Sequence, residues 1–144
     1  MVSNFKTQRW VMVIALSGMV CATGVRAQTL PAQEQSHGIS YVTGGFGENM
    51  AAAFKAAEAS YPLGLTFAED AGGGPRPYVA DVAVQIRRDD QLVFDVASAG
   101  PFLLVQLPPG SYVVEATYQG RKQSIRANIR EGAPVHKVLT WKAP

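Results

Sequence analysis

The stretch Leu107-Pro108-Pro109-Gly110-Ser111-Tyr112-Val113-Val114-Glu115-Ala116-Thr117-Tyr118-Gln119-Gly120 decides the fold. Pro108 and Pro109 each fix φ and remove a backbone donor, so no helix interior or central strand runs through them. Gly110 adopts conformations closed to other residues, and the three together reverse the chain. The residues after the reversal alternate, with Tyr112, Val114, Ala116 and Tyr118 set against Val113, Glu115 and Thr117. A period of two marks a half-buried strand. Gln119-Gly120 is a two-residue turn of the hairpin kind. The strand beyond it puts Ile125, Ala127 and Ile129 on one face and Ser124, Arg126, Asn128 and Arg130 on the other.

The same pattern extends in both directions. Glu131-Gly132 turns the chain, and Val135 to Trp141 forms the last strand. Upstream, Phe102 to Leu107 is an apolar strand bounded by Ser98-Ala99-Gly100-Pro101. Leu92, Phe94 and Val96 alternate with Val93 and Asp95, Asp89-Asp90 reads as a turn, and Val82, Val84 and Ile86 alternate before it. Short strands at this spacing predict a mainly β chain, with an antiparallel Ig-like or prealbumin-like β-sandwich over residues 78–142. About a dozen buried Val, Ile and Phe positions, each contributing roughly 1.5–3 kcal/mol, are enough for a core.

Before Tyr78 the pattern changes. Ala71-Gly72-Gly73-Gly74-Pro75-Arg76-Pro77 is a breaker cluster. Residues 41–70 read as strand, helix, strand. Tyr41-Val42-Thr43 is short and apolar, Gly44-Gly45-Phe46-Gly47 interrupts, and Glu48 to Ser60 is Ala-rich and free of Gly and Pro. Met50, Phe54 and Ala57 share one helical face, Glu48 sits in the first turn, and Pro62 stops the helix. Leu63, Leu65 and Phe67 then alternate as a strand. Residues 28–40 are polar and aperiodic and read as a flexible leader.

The run from Gly100 to Ala116, with Leu-Pro-Pro-Gly-x-Tyr at Leu107 to Tyr112 and the turn Tyr118-Gln119-Gly120 after it, resembles the carboxypeptidase regulatory-like domains. The resemblance covers about Tyr78 to Lys142. It implies a prealbumin-like or transthyretin-like sandwich, an accessory role, and no catalytic residues. Hydrolytic members of the wider transthyretin-like group end in Tyr-Arg-Gly-Ser. This chain ends in Leu139-Thr140-Trp141-Lys142-Ala143-Pro144, and that departure argues against their activity.

The N-terminus reads as an address. Lys6 and Arg9 precede an apolar run from Trp10 to Val20, and Val25-Arg26-Ala27 gives a small-x-small site, so residues 1–27 are a signal peptide cleaved between Ala27 and Gln28. The expected location is the periplasm or outside the cell, with contact to the membrane only through the signal peptide. The alternative is an uncleaved anchor in the inner membrane, although the apolar run falls short of the ~20 residues a span needs. Gly18 and Val20 do not make a lipobox of Cys21, which cleavage removes together with all thiol chemistry.

From Gln28 onward there are ten Lys/Arg and eleven Asp/Glu, a net charge of −1. Nucleic-acid binding calls for a basic excess that this balance lacks. The charge is nonetheless divided: residues 34–95 carry nine acidic and four basic residues, and residues 121–142 carry six basic and one acidic. That division has two readings: opposite-sign surfaces that simply keep an exported domain in solution, or a field that steers acidic partners towards one face.

No constellation for chemistry stands out. His37 falls in the leader and His136 in the last strand, without cysteines to complete a zinc site. The Asp pairs lack a calcium-loop pattern, no Gly-x-Ser-x-Gly occurs, and no Lys follows the Gly44–Gly47 loop as a phosphate site requires. No catalytic residue, metal ligand or cofactor is assigned. Two binding features remain. Tyr41, Tyr61, Tyr78, Tyr112, Tyr118 and Trp141 offer a stacking surface if they share a face. Val135, Lys137, Leu139 and Trp141 mark a final strand that recruits a partner by strand addition if it is a free edge, although Lys137 and Lys142 equally serve to discourage pairing there. The resulting expectation is a non-catalytic interaction module for an envelope protein or a surface carbohydrate. The alternatives are a purely structural exported domain and a small hydrolase.

Overall fold

The computed structural model describes residues 30–144, so the expected signal peptide, its expected cleavage between Ala27 and Gln28, and Cys21 lie outside the described residues. Its elements follow the turn residues: β1 (Glu34–Ser36), β2 (Ile39–Gly44), α1 (Glu48–Ala57) with a single 3-10 turn (Glu58–Ser60), β3 (Leu63–Asp70), β4 (Val82–Arg88), β5 (Gln91–Ala99), β6 (Phe102–Val105), β7 (Gly110–Tyr118), β8 (Arg121–Ile129) and β9 (Val135–Lys142). Tyr112 drops into the core just after the Pro-Pro-Gly reversal, 4% exposed, and its hydroxyl donates to the Pro108 carbonyl at 2.6 Å. Gln119 and Gly120 both take positive φ, 48° and 75°, in the two-residue turn between β7 and β8.

The strands form two sheets, ordered β1-β2-β6-β3-β9 and β5-β4-β7-β8. Alternation delivers Val82, Val84 and Ile86 from β4, and Val114 and Ala116 from β7, fully buried into the space between the sheets. They meet Leu63, Leu65 and Phe67 of β3 and Leu103 and Val105 of β6 in one apolar cluster. This is the mainly β sandwich expected from the alternation.

A second, smaller cluster lies on the outer face of the five-stranded sheet. There α1 lays Ala51 and Phe54 over Val42, Phe102 and Leu104. The Phe54 and Phe102 rings stack with centroids 5.6 Å apart. Gly45, at φ 105°, lets the chain leave β2 for α1: a β-carbon there would overlap the Phe102 ring. Gly100 approaches the backbone of Gly44 so closely that a β-carbon would lie 2.8 Å from the Gly44 α-carbon. The glycines read in the sequence as chain breakers are thus also points of close packing.

Three features depart from the sequence reading. The stretch read as a flexible leader contains β1, which hairpins onto β2 through His37 and Gly38, both at positive φ. Three residues are too few to display a period of two. The sandwich is not confined to residues 78–142, because β2 and β3 of the helix-bearing segment supply two strands of one of its sheets. Finally, β3 and β9 pair in parallel, from Leu63 opposite Val135 to Asp70 opposite Lys142. Parallel pairs need a long crossover, and here the connection runs through the whole of the second sheet.

Candidate functional site

Strand β9 is the margin of the five-stranded sheet, with β3 on one side only. The Val135 N–H donates to the Pro62 carbonyl and the Ala143 N–H to the Asp70 carbonyl, both at 2.9 Å. Odd-numbered residues of β9 therefore turn their main-chain groups to β3, and His136, Val138, Thr140 and Lys142 turn theirs to the open side.

That open side is closed along half its length. The Gln123 amide donates to the Thr140 carbonyl, and Arg121 Nη1 donates to the Lys142 carbonyl. Trp141 Nε1 returns a hydrogen bond to the Arg121 carbonyl at 3.0 Å. Side chains of β8 thus seal the seam between the sheets at Thr140–Lys142. The opposite seam is sealed as well: Ser36 Oγ donates to the Asp95 carbonyl at 2.7 Å and accepts from the Asp95 N–H at 3.0 Å, and His37 Nε2 lies 3.0 Å from Asp95 Oδ1. Among the described residues, no hydrogen bond covers the outward main-chain groups of His136 and Val138. They form the open half of β9.

The four side chains expected to form an interaction surface are placed differently. Leu139 and Trp141 are 2% exposed and belong to the core, and Val135 packs half-buried against it. Lys137 has the same parity but is exposed at the unsealed part of the seam. The outward apolar residue is Val138, 55% exposed. Parity was the available signal, since Val138 is the one apolar residue among positions 136, 138, 140 and 142. The aromatic stacking surface does not form: Tyr41, Tyr61, Tyr112 and Trp141 are buried, Tyr118 is half-buried, and Tyr78 alone of the six is exposed.

On the outer face, His136 packs over Gly64. Its Nε2 lies 2.9 Å from Thr66 Oγ1 and 3.3 Å from Glu58 Oε1. Both partners approach the same ring nitrogen, so the cluster lacks the arrangement of a nucleophile–base–acid relay, in which the two partners sit on opposite nitrogens, and it fastens β9 to β3 and the 3-10 turn. Among the described residues, no three His, Cys, Asp or Glu converge as metal ligands. Two hydroxyls have shifted acidities. Burial, followed by the hydrogen bond and charge of Glu34 and the charge of Asp95, pushes Tyr41 up to about 12. Burial, followed by Glu69, raises Tyr118.

Where β9 begins, the connections at one end of the sandwich border an open cavity of about 500 Å³, lined in part by Tyr61, Pro62, Leu107, Pro109, Ile129 and Pro134. No family model matches the chain, and no curated protein matches it.

Proposed function

We propose that this protein is a non-catalytic interaction module, exported to the periplasm or secreted, that holds an envelope partner by strand addition along the open half of β9. The observation that carries the reading is the contrast along one edge: β8 side chains cover the Thr140 and Lys142 carbonyls, whereas His136 and Val138 keep free donors and acceptors beside an exposed valine. An incoming strand gains main-chain hydrogen bonds there without displacing any. The Leu107–Tyr112 reversal and the sandwich around it support the resemblance to carboxypeptidase regulatory-like accessory domains. The address rests on residues 1–27. An uncleaved anchor in the inner membrane would leave the β9 edge equally accessible. No helix among the described residues is long and apolar enough to cross a membrane.

A second reading, a purely structural exported domain, is favoured by Lys137, because a charge on an edge strand discourages pairing. In-cell photocrosslinking separates the two. A photoreactive residue at Val138 is expected to give one dominant adduct, and the same residue at Gln85 on the far sheet is expected to give none. No adduct from Val138, or the same adducts from both sites, would favour the structural role.

A further inference from the structure

The open half of β9 leads directly to the end cavity, because Pro134 in the cavity wall immediately precedes Val135. Pro62, Pro109 and Pro134 reach that wall from three separate connections. Each proline fixes its own φ, which lowers the ordering cost of filling the cavity. Ile129 adds an apolar residue, and the exposed neighbours Arg130 and Glu131 place one cation and one anion in the lining.

Charge selects among possible occupants. Of the six Lys/Arg in residues 121–142, Arg130 lines the cavity and Lys137 lies on the open half, whereas Arg121 and Lys142 meet at the sealed end. Lys137 stands exposed between the two open residues. A second copy of the chain, paired antiparallel through both His136 and Val138, would set Lys137 directly opposite its own counterpart. Like charges in that position destabilise a strand pair, and opposite charges stabilise it.

We infer that the occupant is an extended acidic segment of another protein. Its backbone pairs with His136 and Val138, and a carboxylate meets Lys137. An apolar side chain two or four residues along the same face fills the cavity. The even spacing comes from the pleat, which returns side chains to one face every second residue. The inference rests on the strand-addition reading and adds to it the sequence character of the partner.

A random-peptide display library, selected on the protein purified after expression of the full chain, tests it. Enriched sequences are expected to pair an apolar residue with Asp or Glu at a spacing of two or four, and to be poor in Lys and Arg. A synthetic peptide of the enriched pattern is then titrated against three variants, each checked for an unchanged melting temperature. Lys137→Glu is expected to weaken binding at least tenfold. Ala133→Trp, which fills the cavity from an exposed loop position, is expected to do the same. Val138→Pro removes a donor from the open side while leaving the ladder to β3 intact, and it is expected to abolish binding. Binding lost in Val138→Pro but unchanged in the other two variants would overturn this inference and leave strand addition standing. So would enrichment of basic peptides. No enrichment, or full binding to Val138→Pro, would overturn both.

Discussion

Tyr41 shows how much one side chain can report. It lies in β2, 9% exposed, with its ring edge-on to Phe94 at 5.2 Å. Its hydroxyl is held up to about 12, from 10.0, by burial first and then by Glu34 and Asp95. The folded protein therefore grips that proton more tightly than the unfolded chain does. This contribution to stability is complete below the unfolded value and is lost as pH rises from about 10 through about 12, because the unfolded chain ionises first. Urea unfolding at about pH 8 and about pH 11 is expected to show a larger loss in the natural protein than in Tyr41→Phe. Equal losses would mean that the hydroxyl plays no part. At this scale the sequence was partly legible. Tyr112 was readable as a core residue because a proline reversal and an alternating strand flank it. Gly45 was readable as a break, but its contact with Phe102 was not, because the two are brought together only when β2 and β6 pair.

At the scale of elements, β9 performs two tasks along its length. Its last residues lock the sandwich. Trp141 is 2% exposed, lies against Phe67 and Tyr118 with ring centroids at 6.1 and 5.5 Å, and ties its indole N–H to β8. Trp141→Ala is expected to cost about 3–5 kcal/mol, as large-to-small core changes of aromatics do. Hydrogen exchange should accelerate first at the β8–β9 seam. A loss below about 1 kcal/mol in urea unfolding would show that the seam contributes little. Alternation located β3, β4, β5, β7 and β8, and the Glu131-Gly132 turn set off the last strand, which lies at a sheet margin. Which strand it pairs with was not legible, because a period of two records which face is buried and carries no trace of the neighbour. The same limit explains the candidate surface. Val135, Leu139 and Trp141 share a face, and the sequence alone did not say that this face looks inward.

For the whole molecule, the decisive fact is that the five-stranded sheet is assembled from both ends of the chain. A chain begun at Tyr78 would keep β6 and β9 but lose β2 and β3, the neighbours that hold them. It would also lose Leu63, Leu65 and Phe67, all fully buried. Each such side chain contributes roughly 1.5–3 kcal/mol, so these three alone approach the 5–15 kcal/mol that separates typical folded domains from unfolding. The region that resembles an accessory domain is therefore not expected to fold without residues 34–70. The full chain should melt in one cooperative transition, with circular dichroism and tryptophan fluorescence coinciding. The chain from Tyr78 to Pro144 should show neither a transition nor fixed tertiary signals. A cooperative melt from the shortened chain would mean that the second sheet, with β6 and β9 refolded onto it, is self-sufficient. The N-terminal strands would then be an addition to the sandwich, and the parallel β3–β9 pair would no longer be what holds the open edge in place.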